Sequence, residues 1–247
     1  MKTNTFITMA AAVLTLGSGF AADEKTPAFE LNSEYTAPNG ATWSQNTLTV
    51  NKDAADDMGI DNYLDFSITF DADISGVPGS KSNKYGSLLS IDATNSLEGT
   101  ADKIDDVYGL LFTDFNMSSD VYAIDFSDSV DGQMSISRDV TVTRESFNGS
   151  NSFALVFSGI TVSVYMLNGE AYDEILTKNW TPTGTLPGAG FLERGYTISF
   201  GDKLSSGDQV SNIKFYNGNV AENVPEPTTA TLSLLALGAL SMRRRRR

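Results

Sequence analysis

One stretch of this sequence decides the fold: Tyr63-Leu64-Asp65-Phe66-Ser67-Ile68-Thr69-Phe70. Every second side chain from Leu64 onward is apolar, and Asp65, Ser67 and Thr69 stand between them. Because successive side chains of a β-strand point to opposite faces, this alternation predicts a strand with one face in a core and the other in solvent. Isoleucine and phenylalanine also favour the pleated surface of a sheet.

The same alternation recurs along the 247-residue chain and predicts about eleven short strands separated by Gly, Asn, Asp and Ser turns. The further predicted strands are Leu48–Val50, Gly86–Ile91, Val107–Phe112, Val121–Phe126, Met134–Ser137, Val140–Thr143, Phe153–Phe157, Thr161–Leu167, Tyr196–Phe200 and Val210–Tyr216. Only Asp53–Met58 and Ala171–Thr177 are expected to form a helical turn or two. Many short strands with almost no helix predict an all-β fold, a sandwich or a barrel.

The body of the chain is strongly acidic. Residues 23–224 hold 30 Asp and Glu against 11 Lys and Arg, a net charge near −19, because Lys2, Glu226 and five terminal arginines lie outside this range. Such a field repels phosphate backbones, so we expect no nucleic acid partner. It keeps an exported protein soluble and attracts divalent cations.

Cysteine and histidine are both absent from the sequence. Their absence excludes disulfides, thiolate chemistry, Cys or His zinc sites and a Ser-His-Asp triad. Any catalysis would have to use carboxylates, Lys or Tyr.

The first 22 residues have the pattern of a secretory signal peptide. Lys2 is followed by the uncharged run Phe6–Leu16 and by small residues that end at Ala22. The apolar run is shorter than the ~20 residues that a spanning helix needs. We predict removal of residues 1–22 by signal peptidase, with cleavage after Ala21 as the nearest alternative; the competing interpretation is a buried N-terminal helix.

An apolar segment, Thr228–Met242, precedes a basic cluster at the end of the chain. That cluster consists of Arg243, Arg244, Arg245, Arg246 and Arg247. Cations beside an apolar helix stay on the cytoplasmic side, because moving them across the bilayer is costly. The segment would span about 22 Å as a helix, less than the ~30 Å hydrocarbon core. We therefore predict a short transmembrane helix that serves as a temporary anchor, with the body outside.

Pro225, Glu226 and Pro227 stand just before this segment. The two prolines hold the backbone in an extended conformation, which a processing enzyme can bind. The order of Pro-Glu-Pro, apolar segment and Arg cluster resembles the PEP-CTERM sorting signal of Gram-negative bacteria. The resemblance implies an exosortase-like membrane protease, transient inner-membrane anchoring, removal of the tail, and delivery to the cell surface or extracellular matrix. The alternative is an ordinary C-terminal anchor with a chance Pro-Glu-Pro.

Four segments of the body, taken in order, resemble the laminin G-like branch of the concanavalin A-like sandwiches. They are Phe66–Phe70, Gly86–Ile91, the hairpin Phe153–Gly169 and the closing strand Val210–Asn217. The resemblance implies a two-sheet antiparallel β-sandwich, a jelly roll, whose closing strand returns beside the first. The family's usual Trp-x-His before the hairpin is replaced by Ser152-Phe153-Ala154.

Three units are therefore predicted: signal peptide 1–22, one β-sandwich domain 23–223, and sorting signal 224–247 with one short hydrophobic helix. The sandwich is expected to be noncatalytic and to bind an extracellular glycan. Trp180, in the loop-like stretch Lys178–Pro182, is the candidate ligand contact. The alternative, which we favour for this residue, is that it plugs the end of the sandwich. Trp43, within an alternating pattern, is assigned to the core.

Calcium is the candidate cofactor, because hard oxygen ligands are abundant. The candidate ligands form two clusters, Asp102, Asp105 and Asp106, and Asp125, Asp128 and Asp131. Neither cluster has EF-hand spacing, and the alternative is that these residues cap turns through their own hydrogen bonds.

Two further functions remain open. Some enzymes of the resembled superfold are glycanases with a Glu-x-Asp-x-Glu strand, and the nearest stretch is Glu170-Ala171-Tyr172-Asp173-Glu174, which has Tyr172 at the central acidic position. A carboxylate-dependent glycan hydrolase is therefore one alternative. A purely structural matrix protein that self-associates is the other.

Overall fold

The computed structural model describes residues 25–76, 85–92, 107–114, 121–130, 133–134, 140–169, 171–179, 192–193 and 195–221. Within these ranges fourteen strands form two antiparallel sheets. The predicted all-β, two-sheet antiparallel sandwich is thereby confirmed. The predicted C-terminal hydrophobic helix and the signal peptide lie outside the described residues.

The first sheet has six strands. Their spatial order is β1 (Phe29–Leu31), β14 (Gln209–Asn217), β4 (Asp65–Ile74), β10 (Gly149–Ser158), β11 (Thr161–Asn168) and β12 (Ala171–Asn179). Phe29 lies opposite Phe215, so the closing strand does return beside the first. The expected hairpin between β10 and β11 is also formed, with Phe153 opposite Met166.

The second sheet has eight strands, seven of them along its main path. Their spatial order is β2 (Ala41–Ser44), β3 (Thr47–Asn51), β13 (Gly195–Phe200), β5 (Tyr85–Asp92), β6 (Val107–Asp114), β7 (Val121–Val130) and β8 (Gln133–Met134), while β9 (Val140–Thr143) also pairs with β7. Two short helices connect strands, α1 (Lys52–Ala55), continued by a 3₁₀ turn Asp56–Met58, and α2 (Arg144–Phe147). The helical turns predicted at Asp53–Met58 are confirmed.

β4, the strand predicted from Tyr63–Phe70, lies in the middle of the six-stranded sheet. It begins at Asp65, and Tyr63 precedes it as a buried residue of the core. Its apolar face meets the core, where the rings of Phe66 and Phe157 stack with centroids 4.4 Å apart. Aromatic pairs of this kind contribute beyond the area that they bury.

The middle of the polar face of the same strand is buried, although Asp65 is exposed, and this corrects the prediction from alternation. Ser67 is fully buried, and its hydroxyl donates to the carbonyl oxygen of Gly218 at 2.6 Å and accepts from the backbone N–H of Val220 at 3.1 Å. The chain that leaves β14 therefore crosses this face and covers it. The sequence pattern of one strand carries no information about such a crossing.

The helical turn predicted at Ala171–Thr177 is wrong, because this segment belongs to β12. Asn168 ends β11 and lies opposite Ala171, and Gly169 begins the turn between them with a φ of +68°. Once that hairpin closes, the backbone groups of the segment pair with β11 rather than with one another.

Two tyrosines form a buried hydrogen-bonded pair between the sheets. The hydroxyl groups of Tyr63 and Tyr196 are 3.2 Å apart, and Tyr63 also donates to the carbonyl oxygen of Ala55 at 3.1 Å. Burial raises the pKa of Tyr63 to about 12, and it raises the pKa of Tyr196 well above its usual value. Both phenols are therefore neutral in the folded protein at ordinary pH.

The two ends of the sandwich domain meet at one end of the six-stranded sheet. The ammonium group of Lys25 donates to the carbonyl oxygen of Asn219 at 3.4 Å. The chain thus enters and leaves the domain at neighbouring positions, beside the C-terminal end of β14.

Candidate functional site

A groove of about 410 Å³ opens at one side of the sandwich, where the β2–β3 hairpin of one sheet faces β1 and β14 of the other. One aromatic ring, four amide side chains and several apolar groups share its wall. The lining residues are Leu31, Asn32, Ser33, Trp43, Gln45, Asn46, Val210, Ser211, Asn212 and Ile213.

Trp43 is the aromatic residue of this groove. It is half-buried rather than enclosed in the core as predicted: its ring meets Phe200 edge-on, with centroids 6.4 Å apart, and also lines the groove. β2 is the outermost strand of its sheet, so a residue on it has no further strand beside it to complete its burial. An alternating pattern cannot distinguish an edge strand from a central one.

The β2–β3 turn places two amides beside that ring. Gln45 and Asn46 form a two-residue hairpin loop with φ values of +52° and +59°, the left-handed conformation of a type I′ turn. The backbone N–H of Phe200 donates to the carbonyl oxygen of Asn46 at 2.9 Å and ties the turn to β13. Both side chains are exposed at the mouth of the groove.

A β-bulge in β14 brings in the amide on the opposite wall. The register with β4 shifts between Ser211 and Lys214, and Asn212 in between has a φ of +52°. Its amide nitrogen donates to Asp71 Oδ2 at 3.0 Å. Asparagine tolerates this backbone conformation better than most residues, and bulges commonly redirect a side chain.

A second, smaller depression of about 160 Å³ lies on the outer face of the six-stranded sheet. It is lined by Thr69, Phe70, Asp71, Ser152, Tyr172, Asn212, Lys214 and Tyr216. The Ser152 hydroxyl donates to Asp71 Oδ1 at 2.5 Å, so both carboxylate oxygens of Asp71 accept hydrogen bonds inside the protein. Burial, together with the neighbouring Tyr216 and Asp71, raises the pKa of Tyr172 above its usual value.

Most residues predicted to act in binding or sorting lie outside the described ranges. These are Trp180, Asp102, Asp105, Asp106, Asp131, Pro225, Glu226, Pro227 and the arginines 243–247. The roles predicted for them stay predictions. No helix within the described part of the chain is long and apolar enough to cross a membrane.

The remaining candidates are distributed over two strands. Asp125 is buried in β7 and forms an ion pair with Lys178 of β12, and Asp128 lies in the same strand opposite Tyr108. In the described ranges no group of three or more Asp, Glu, His or Cys side chains is placed to hold a metal. Calcium therefore stays a prediction. Glu174 is exposed on β12 and accepts a hydrogen bond from the Tyr165 hydroxyl at 3.2 Å, while Glu170 lies outside the described residues.

Only a weak pattern in the sequence indicates the groove. Trp43 is followed within three residues by Gln45 and Asn46, and an aromatic side chain beside two amides at a hairpin is a pattern of a binding surface. Asn212 and Asp71 are far apart in sequence, and only the pairing of β14 with β4 brings them together.

Comparison with known families locates one motif at the end of the chain. Residues 223–247 match the PEP-CTERM protein-sorting motif. This chain carries a PEP-CTERM sorting signal. The signal implies export and sorting to the cell surface, and the resemblance proposed for Pro225, Glu226, Pro227 and the arginine cluster is confirmed. A search of curated protein sequences finds no significant match.

Among solved structures the body is similar to several proteins at low identity. Sheep galectin-11 is 10% identical, with 62% of this chain and 90% of that chain covered and a TM-score of 0.34. Alginate lyase AlyA1 from Zobellia galactanivorans is 11% identical, with 76% and 85% covered and a TM-score of 0.37. GH43B of a Bacteroides ovatus xyloglucan locus is 9% identical, with 70% and 29% covered and a TM-score of 0.38. At this distance the likeness concerns the arrangement of strands alone.

Proposed function

We propose that this protein is exported and that its sandwich domain, residues 23–223, is a noncatalytic module that binds a glycan in the Trp43 groove. The observation that carries the proposal is the composition of the groove, in which one aromatic ring stands among the amides of Asn32, Gln45, Asn46 and Asn212. Aromatic faces bind the apolar face of a sugar ring, and amides both donate to and accept from hydroxyl groups.

The preformed geometry of the groove supports binding. The β2–β3 turn is fixed by its own hairpin and by the hydrogen bond from Phe200 to Asn46, and Asn212 is held by Asp71. A site whose walls are already positioned loses little conformational entropy when the ligand arrives. Anionic ligands suit it poorly, because the body carries a net charge near −19.

The route to the site of action is also part of the proposal. Signal peptidase removes residues 1–22 during export, and the apolar tail then halts in the inner membrane of a Gram-negative bacterium with its arginines in the cytoplasm. An exosortase-like membrane protease cuts near Pro225–Pro227 and releases the body to the cell surface or matrix. The sorting motif at residues 223–247 supports this route.

A glycan array probed with the purified full chain in mild detergent tests the binding function. We expect retention on one class of neutral glycan, and we expect Trp43→Ala to weaken it by about tenfold, the loss of a central aromatic contact. Tyr165→Ala, on the outer face of the same domain and outside the groove, is the matched control. Undiminished binding by Trp43→Ala would show that the ligand contacts another surface, such as Trp180.

Incubation of the same preparation with the retained polysaccharide separates a binding module from an enzyme. A noncatalytic module leaves the chain length of the polysaccharide unchanged. Release of reducing sugar that is lost on Glu170→Gln or Glu174→Gln would instead establish a carboxylate-dependent hydrolase.

A further inference from the structure

We propose that the Trp43 groove and the depression on the outer face of the six-stranded sheet are two parts of one cleft, which binds an uncharged oligosaccharide across the strands. The inference rests on the proposed glycan-binding function and specifies its ligand. The observation behind it is that Asn212 lines both depressions. On one side of Asn212 the wall continues through Ser211 to Trp43, and on the other side through Lys214 to Tyr172.

Other residues of the domain hold the side chain at the junction between the two depressions in place. Asn212 has a left-handed φ of +52° within the β14 bulge, and backbone of this kind persists only where its surroundings hold it. Asp71 supplies that support, because it accepts from Asn212 at 3.0 Å while Ser152 donates to its other oxygen at 2.5 Å. The side chain at the junction is therefore fixed before any ligand binds.

The direction of the cleft follows from the strand register. Asp71 of β4 lies opposite Ser152 of β10 and Ser211 of β14, so these three residues form a row perpendicular to the strands. Tyr172 of β12 closes the row at the far side of the sheet. From β14 to β12 there are four strand spacings, about 19 Å at ~4.8 Å each. Such a length suits a chain of several linked rings rather than a single sugar.

The charges along the cleft determine whether an anionic or a neutral saccharide of that length binds. Asp71 and Lys214 offer one carboxylate and one ammonium group close to the junction, and the remaining polar groups are amides and hydroxyls. With these two charges opposed and a strongly acidic body around them, an anionic polysaccharide gains no net attraction. A chain of neutral sugars has hydroxyls for the polar groups and ring faces for Trp43 and Tyr172.

Isothermal titration of the full chain in mild detergent tests this cleft. The probes are cello-, xylo-, manno- and laminari-oligosaccharides in ladders of increasing length, together with alginate oligosaccharides as the anionic series and an extended uncharged peptide. For one neutral series we expect affinity to rise about tenfold between the shortest and longest members, as added contacts of about 1.4 kcal/mol would give.

The variants separate the two parts of the cleft. Trp43→Ala should weaken binding of every length, whereas Tyr172→Ala and Tyr172→Leu should weaken only the long oligosaccharides, to the affinity of the short ones. Asn212→Gly accommodates the left-handed backbone without the amide. Because Asn212 lines both depressions, this variant should weaken binding of the short oligosaccharides and also reduce the gain in affinity with length. Tyr165→Ala is the control on a neighbouring strand, and circular dichroism verifies the fold of each variant.

Several results would overturn the inference. The first is equal affinity for oligosaccharides of all lengths. The second is that the Tyr172 variants bind the long oligosaccharides as tightly as Tyr165→Ala does. The third is that alginate oligosaccharides or the peptide bind more tightly than the neutral sugars. If Trp43→Ala still weakens binding of the short neutral sugars, the groove binds glycan and only the extended cleft is wrong. If the unmodified protein binds no saccharide of any length, the proposed function fails as well.

Discussion

Alkaline pH should unfold this protein through the buried tyrosine pair. The pKa of Tyr63 is about 12 in the folded protein against 10.0 for the free side chain, and that of Tyr196 is raised well above the same value. A raised pKa means that the folded state holds its phenolic protons more tightly than the unfolded state does. Stability is therefore intact below pH 10 and falls as pH rises from 10 toward about 12.

The magnitude follows from the shift. Each unit of pKa difference corresponds to about 1.4 kcal/mol, so Tyr63 alone accounts for about 3 kcal/mol of lost stability by pH 12. That loss is a large part of the 5–15 kcal/mol of a typical domain. Tyr196, Tyr35 and Tyr172 have pKa values shifted in the same direction and add to it.

Guanidinium denaturation at a series of pH values measures the effect. The free energy of unfolding should stay level up to pH 10 and then fall with a slope of at least about 1.4 kcal/mol per pH unit. Tyr63→Phe should reduce the slope by about that amount, at the cost of its hydrogen bonds to Ala55 and Tyr196. Tyr165→Phe serves as the control. A level free energy through pH 12, or equal slopes in all three proteins, would refute the assignment.

Three further outcomes are expected. Ser67→Ala should destabilise the domain by about 1–3 kcal/mol, because the part-buried N–H of Val220 and C=O of Gly218 lose their partner, and thermal denaturation beside Ser163→Ala would reveal it. Asn212→Ala should be less stable than Asn212→Gly by about 1 kcal/mol, since alanine is strained at a φ of +52°; equal stability would contradict the left-handed bulge. Mass spectrometry of the surface-exposed, mature protein should find the arginines of residues 243–247 absent, and an intact tail would contradict removal by a sorting protease.

Local sequence patterns were sufficient to predict part of the fold. The alternation of β4 and the β10–β11 hairpin follow from period and turn chemistry, which neighbouring residues control. The return of β14 beside β1 was predicted only by the resemblance to the laminin G-like sandwiches. The sorting motif was equally accessible, because its elements are consecutive in sequence.

Properties that depend on distant residues were missed. The residues of Ala171–Thr177 are compatible with a helix, but the segment forms a strand because it pairs with β11. Ser67 is buried because a distant part of the chain crosses it, and Gly218 follows it by 151 positions in the sequence. The groove is missed for the same reason, since its walls come from β1, β2, β14 and the β2–β3 turn.

The meeting of Lys25 and Asn219 fixes how the domain is presented during secretion. Ala221, the last described residue of the domain, is followed by three residues before Pro225, a reach of about 14 Å when fully extended. On the sorting route proposed above, this short connecting segment keeps one end of the domain close to the bilayer, namely the end where the chain enters and leaves. Asn212 lies five residues before Asn217, the last residue of β14, and therefore about 17 Å toward the opposite end of the domain. The ligand-binding end would then point away from the inner membrane while the protein is still tethered, so the groove would be open to a glycan on that side of the membrane before release.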